Sequence, residues 1–197
     1  MKKIVLSLAL AVSALAANAQ VYVGGDFSLW RNTEKSANET NFTIAPEIGY
    51  TLDENSEIGI ALGYMHEYEG SASHNGASTS LNAFAIAPYY RYNFLKTKNI
   101  DLFIEAGFGI ATGKEKVEYA AGNATTSVES DAANSYEIGL KPGVAVNLNS
   151  KLSFVAKAGF FGYRTTNDNA TTNAFGDNGF GVAASTNDLS FGFVYKF

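Results

Sequence analysis

Asp188-Leu189-Ser190-Phe191-Gly192-Phe193-Val194-Tyr195-Lys196-Phe197 alternates with a period of two. Leu189, Phe191, Phe193, Tyr195 and Phe197 share one parity. Asp188, Ser190, Gly192 and Lys196 share the other, with Val194 as the one apolar exception. Such alternation reads as a β-strand with one apolar and one polar face. The strand runs to an aromatic last residue, where a frayed, polar end is the usual pattern. An edge this apolar is an aggregation hazard unless both of its sides are paired. Closure of a barrel against the first strand would give it the second neighbour.

The other end of the chain offers a route to a membrane. Met1-Lys2-Lys3 is a basic start, residues 4–16 are apolar, and Ala17-Asn18-Ala19 is a small-residue cleavage site. These features predict a secretory signal peptide over 1–19, removed before Gln20, and one barrel domain over 20–197. A membrane anchor fits less well, because the apolar run is short and no stop-transfer pattern follows. The chain has no cysteine, which rules out a disulfide, a thiolate metal site and a lipid-anchored N-terminal Cys. With Lys2 and Lys3 removed from the 14 basic residues, 12 remain against 19 acidic ones, a net charge of −7. An acidic chain without a basic cluster argues against nucleic acid as a partner.

Mean hydropathy is −0.04. No stretch after residue 19 approaches the ~18–20 apolar residues that a membrane helix needs. Barrels, however, hide their apolar face in alternation. The 19 Gly, 11 Tyr and 14 Phe fit a small-residue interior with aromatic girdles.

Eight alternating stretches follow in order: 21–30, 42–52, 57–68, 81–95, 100–112, 136–148, 152–165 and the closing strand. Between them lie polar loops at 31–40, 69–80, 114–134 and 166–187, and tight turns at 53–55, 96–99 and 149–150. Long and short connections alternate throughout. The expected fold is therefore all-β, an eight-stranded antiparallel up-and-down transmembrane β-barrel with both termini on the short-turn side. In the seventh stretch Leu152, Phe154, Ala156, Ala158 and Phe160 are expected outward. Trp30, Tyr64, Tyr136 and Phe160 would form a girdle near the loops, with Tyr50, Tyr92, Phe94, Tyr195 and Phe197 near the turns.

Pro46, Pro88 and Pro142 are the chain's only prolines, and each occupies an outward position at similar height above a short turn. Proline lacks the ladder N–H, and a closed barrel has no edge, so each predicts a bulge or a locally broken ladder.

Charge placement decides which face meets lipid. A Lys or Arg facing lipid at the midplane costs ~2–4 kcal/mol. Asp26, Glu47, Arg91, Glu105, Lys141 and Lys157 share the polar parity of their strands. Together, facing lipid, they would exceed the ~5–15 kcal/mol that holds a domain together, so they must point inward. They lie at one level, roughly 10–20 Å above the short turns. They read as a mutually neutralising lumen network, because an unpaired interior ion costs several kcal/mol. Glu57, Asp101, Glu137, Asp188 and Lys196 extend it up and down. One reading is a salt-bridged plug, since an eight-stranded barrel is just wide enough for its side chains. The other is a narrow conduit, for which inward glycines such as Gly49, Gly59, Gly107, Gly139 and Gly143 would leave room.

Catalytic chemistry is not expected. The histidines are His66 and His74. His66 and Glu67 are adjacent on a strand and therefore point to opposite faces. Gly107-Phe108-Gly109 lies within a strand and is not a dinucleotide fingerprint. The runs Asn167-Asp168-Asn169 and Gly176-Asp177-Asn178-Gly179 read as turns without calcium-ligand spacing. No cofactor or metal is implied.

The strand count, the loop alternation and terminal Phe197 resemble the small bacterial outer-membrane β-barrels of the OmpX, OmpA-barrel and OmpW type. The resemblance covers the chain after residue 19 and is architectural, so it carries over no functional residue. It implies the outer membrane, contact with its lipid and lipopolysaccharide, recognition of the terminal strand and Phe197 by the barrel-assembly machinery, and an extracellular ligand at the loops. The soluble domain that the OmpA type adds is not expected here. Within the family the implied roles are envelope structure, surface adhesion or small-solute passage.

Overall fold

The computed structural model describes residues 20–34, 37–71, 78–121, 124–167, 178–184 and 189–197. Five strands come first: β1 (Val21–Glu34), β2 (Ala37–Thr51), β3 (Ser56–Ser71), β4 (Ser78–Lys96) and β5 (Ile100–Ala121). Six further segments complete the wall: β6 (Ala124–Glu129), β7 (Ala133–Asn147), β8 (Leu152–Ala158), β9 (Phe160–Thr166), β10 (Gly179–Ala183) and β11 (Leu189–Lys196). Each of the last three staves is built from two segments. β6 and β7 both pair with β5, β8 and β9 both pair with β7, and β10 and β11 pair with β9 and β8. β11 then pairs antiparallel with β1, from Tyr22↔Lys196 to Phe27↔Phe191, and closes an eight-stave antiparallel barrel.

The closing strand gains the second neighbour that its composition demands. The Phe197 N–H reaches the Val21 carbonyl at 3.3 Å, so chain end and chain start are tied together. Val194, the apolar exception on the polar parity, points inward and exposes only 3% of its surface.

The short turns fall where expected, and side-chain capping explains them. Asp53 accepts hydrogen bonds from the Asn55 and Ser56 N–H groups at 2.8 and 2.9 Å, and Asn149 does the same for Lys151 and Leu152. These are Asx turns, the local conformation that Asp and Asn favour. The long connections differ from expectation. Much of the expected loop at 31–40 is paired β-ladder, running from Arg31↔Thr40 to Glu34↔Ala37. The ladder also continues from β5 into β6 as far as Ala121↔Ala124. Above the apolar band both faces are polar, so the period-two signal fades although the hydrogen bonds continue.

At Pro46 and Pro88 the ladder breaks on one side and keeps its register. The β2–β3 pairing jumps from Ile44↔Tyr64 to Glu47↔Ala61, and the β4–β5 pairing jumps from Ile86↔Ile110 to Tyr89↔Gly107. On the other side Pro46 and Pro88 stay paired, with Gly25 and Ile60. At Pro142 the break on the β8–β9 side coincides with a shift of register, Leu140↔Phe161 giving way to Gly143↔Lys157.

The shift comes from Gly159, which has φ +79° and lies between β8 and β9. A β-branched or bulky side chain would be strained in that left-handed conformation. The inserted residue exchanges the faces of the β9 residues that follow it. Phe160, expected outward, is therefore turned into the barrel and exposes 6%, whereas Phe161 and Tyr163 face out.

Candidate functional site

The lumen holds the chain's buried chemistry. At its lower level Tyr22, Phe103, Val155 and Val194 form an apolar cluster exposing between 0% and 3%. The neighbouring inward glycines are not free space. A Cβ on Gly49 would collide with the Tyr22 ring, one on Gly59 with Tyr89, and one on Gly143 with Phe103. Each glycine is the seat of a ring reaching across from another strand. The hydroxyls of Tyr22 and Tyr89 are 3.0 Å apart.

One inward step above Phe103 and Val155, the residues Glu105 and Lys157 belong to a buried ionic cluster. The Arg91 guanidinium reaches Glu105 at 3.0 Å, Glu47 at 3.4 Å and Glu57 at 3.4 Å. Lys157 Nζ reaches Asp26 at 2.9 Å, Glu105 at 3.3 Å and Glu47 at 3.5 Å. Glu47 and Glu105 thus bridge the two cations. The guanidinium also lies 4.7 Å from the Phe103 ring centre and 5.1 Å from that of Tyr89, within cation–π range. A buried charge is tolerable only with partners on several sides, and this packing supplies them.

Glu57 and Lys196 join this cluster directly, with Lys196 Nζ 2.6 Å from Glu57 at the turn-side mouth. Lys141 does not join it. It pairs with Glu137 at 2.7 Å, and Arg164 meets the other Glu137 oxygen at 3.1 Å. Lys141 on β7 and Arg164 on the neighbouring β9 flank Phe160, at 5.8 and 4.6 Å from its ring centre. Asp101 stands apart as well. It accepts from Asn147 Nδ2 at 3.2 Å and from the Thr97 N–H at 3.3 Å, fastening a turn. Asp188 lies outside the described residues.

Arg164, Tyr22, Tyr89 and Phe103 were missing from the expected set. Uninterrupted alternation from Lys157 would turn Arg164 outward, and the Gly159 bulge brings it in. In these ion pairs the inward residues named from sequence supply five carboxylates and four cations, and Arg164 makes the sets equal, a balance that only the structure discloses. The buried rings were legible as aromatics on the polar parity opposite glycines.

On the outer wall, His66 Nδ1 lies 2.8 Å from Asn82 Oδ1, which also accepts the Tyr64 hydroxyl at 2.9 Å. Glu67 is on the opposite face of β3, consistent with strand alternation. His74, Asp168, Asn169 and Asp177 lie outside the described residues.

Three solved structures are similar to the chain at low identity. Neisserial surface protein A is 14% identical, covers 90% of this chain and 97% of its own, and has a TM-score of 0.44. The translocator domain of the autotransporter NalP from Neisseria meningitidis gives 12%, 95%, 92% and 0.48. Ail, the attachment invasion locus protein of Yersinia pestis, gives 10%, 89%, 91% and 0.36. No curated protein sequence matches the chain. The outer membrane protein beta-barrel domain family matches residues 4–197, and the chain belongs to that family of bacterial outer-membrane proteins.

Proposed function

We propose that this protein is a non-enzymatic outer-membrane barrel whose lumen is sealed by its ionic cluster, and which serves the envelope structurally or binds a ligand through its loops. One observation carries the reading. Around Arg91, which exposes 3% of its surface, side chains from β1, β2, β4, β5 and β8 meet in one buried ionic cluster. Four inward glycines that would favour a narrow pore, Gly49, Gly59, Gly139 and Gly143, each face an aromatic ring, which weakens the porin-like alternative. The non-enzymatic reading is supported by strand alternation, which puts Glu67 on the face of β3 opposite His66.

On this reading residues 1–19 are a cleaved signal peptide and the termini face the periplasm. The terminal strand with Phe197 is presented to the assembly machinery, and the outer wall meets lipid and lipopolysaccharide. The extended hairpins β1–β2 and β5–β6 carry the contact surface for an extracellular partner. Liposome swelling tests the seal. Proteoliposomes of the refolded barrel should swell in small sugars no faster than empty liposomes, and rapid swelling would replace the reading with a passive pore.

A further inference from the structure

The outer wall carries a groove of about 610 Å³ that the lumen account does not use. Its upper flank includes Pro88 and Phe108, and its lower flank includes Tyr90, Leu140 and Phe161, with Ala106 as the small residue between them. The floor between these outward side chains is strand backbone, at Gly107, Gly139 and Gly162 among others. Those glycines are on the inward parity, so the depth of the groove comes from Ala106, whose small side chain stands among larger outward neighbours. The groove also crosses the break in the β4–β5 ladder, where Pro88 offers no N–H to the facing Phe108. Its wall is pre-set. The Tyr90 hydroxyl is held by Ser56 Oγ at 3.0 Å, which fixes the ring that forms the lower lip.

We infer that this groove holds one fatty acyl chain of a glycerophospholipid from the leaflet covering the short turns. The groove is on the outward, membrane-facing side, where its solvent is hydrocarbon. Its volume falls within the ~300–1,000 Å³ range of ligand sites. Ala106 stands six residues above Ile100, roughly 15 Å above the turns on a tilted strand. That height matches a hydrocarbon half-thickness of ~15 Å, so a chain rooted at the turn-side girdle reaches the groove with its distal end. Lipid tails are as apolar as the wall, so retention rests on shape and van der Waals contact with fixed rings, not on a hydrophobic driving force. Filling the notch should therefore abolish it. The inference does not depend on whether the lumen conducts.

The test is native mass spectrometry of the mature barrel released from palmitoyl-oleoyl phosphatidylethanolamine nanodiscs. Ala106→Phe fills the notch, Ala156→Phe makes the same change on β8, and Leu140→Ala widens the groove if Ala106→Phe does not fold. The expected result is one phospholipid retained by the parent and by Ala156→Phe, and lost by Ala106→Phe or weakened by Leu140→Ala. Equal retention in all variants, no retained lipid in the parent, or a dimer that Ala106→Phe disrupts would each overturn the assignment.

Discussion

Arg91 donates twice to a single oxygen of Glu105. Its Nη2 and Nε atoms lie 3.0 and 3.3 Å from Glu105 Oε2, the oxygen that Lys157 Nζ also reaches at 3.3 Å. Two cations converging on one carboxylate form a cross-brace between β4, β5 and β8. Arg91→Ala would leave Glu47, Glu57 and Glu105 without their shared guanidinium. Breaking a buried pair from one side costs ~3–5 kcal/mol. Lys196→Ala at the partly exposed mouth should cost no more than ~1 kcal/mol. Urea unfolding of the two refolded variants against the parent measures the difference, and equal losses would contradict a buried cross-brace.

The ring-on-glycine seats make a second pair of expectations. Gly49→Ala and Gly143→Ala drive a methyl group into the Tyr22 and Phe103 rings, and overpacking of this kind costs ~1–3 kcal/mol. Gly181→Ala places its methyl in open space and should leave stability unchanged. Heat-modified mobility on gels, followed as midpoint temperature, separates the two classes. A Gly181→Ala loss as large as the others would mean that glycine acts here through the backbone alone.

The strand pattern and the three tight turns were legible because lipid on one side and a buried, largely polar interior on the other impose period-two alternation. Two things were not legible, for separate physical reasons. Above the apolar band Arg31 to Glu34 are all polar, so they carry no alternation although they pair with Ala37 to Thr40. And a single inserted residue inverts parity without altering composition. Gly159 moves Phe160 and Arg164 inside, and Lys141 pairs beside that relocated arginine in place of the Arg91 cluster. The prolines, by contrast, disclosed their ladder breaks in advance, because a missing N–H is a property of the residue itself.

Those breaks invite a direct measurement. Pro88 pairs normally toward β3 but breaks the ladder toward β5. Pro88→Val supplies an N–H facing Phe108. The gain of about 1 kcal/mol from one hydrogen bond is offset by the unfolded-state entropy that proline removes, ~0.4–1 kcal/mol, so stability should barely change. Amide exchange should change instead, with slow exchange at the new residue-88 amide, which donates to the Phe108 carbonyl. Fast exchange at position 88 would show that the strands are splayed for another reason.

The turn at Asp53 gives a pH-dependent expectation outside the membrane band. Hydrogen bonds from the Asn55 and Ser56 N–H groups hold the Asp53 carboxyl below its ordinary range, with Lys96 adding to the effect. A carboxyl depressed by folding contributes stability that is fully present above its unfolded value and lost as pH falls through the folded one. The stability gap between parent and Asp53→Ala should therefore be constant near neutral pH and shrink at strongly acidic pH. A gap that grows on acidification would contradict the assignment.

The central claim is that Arg91 and Lys157, braced by their carboxylates, seal the lumen. Single-channel recording in planar bilayers tests it most directly, with the refolded mature parent beside Arg91→Ala and Lys157→Ala, each first shown to be folded. The account predicts a silent parent and discrete conductance in at least one variant. Reproducible openings in the parent would contradict it and make solute passage the function to pursue.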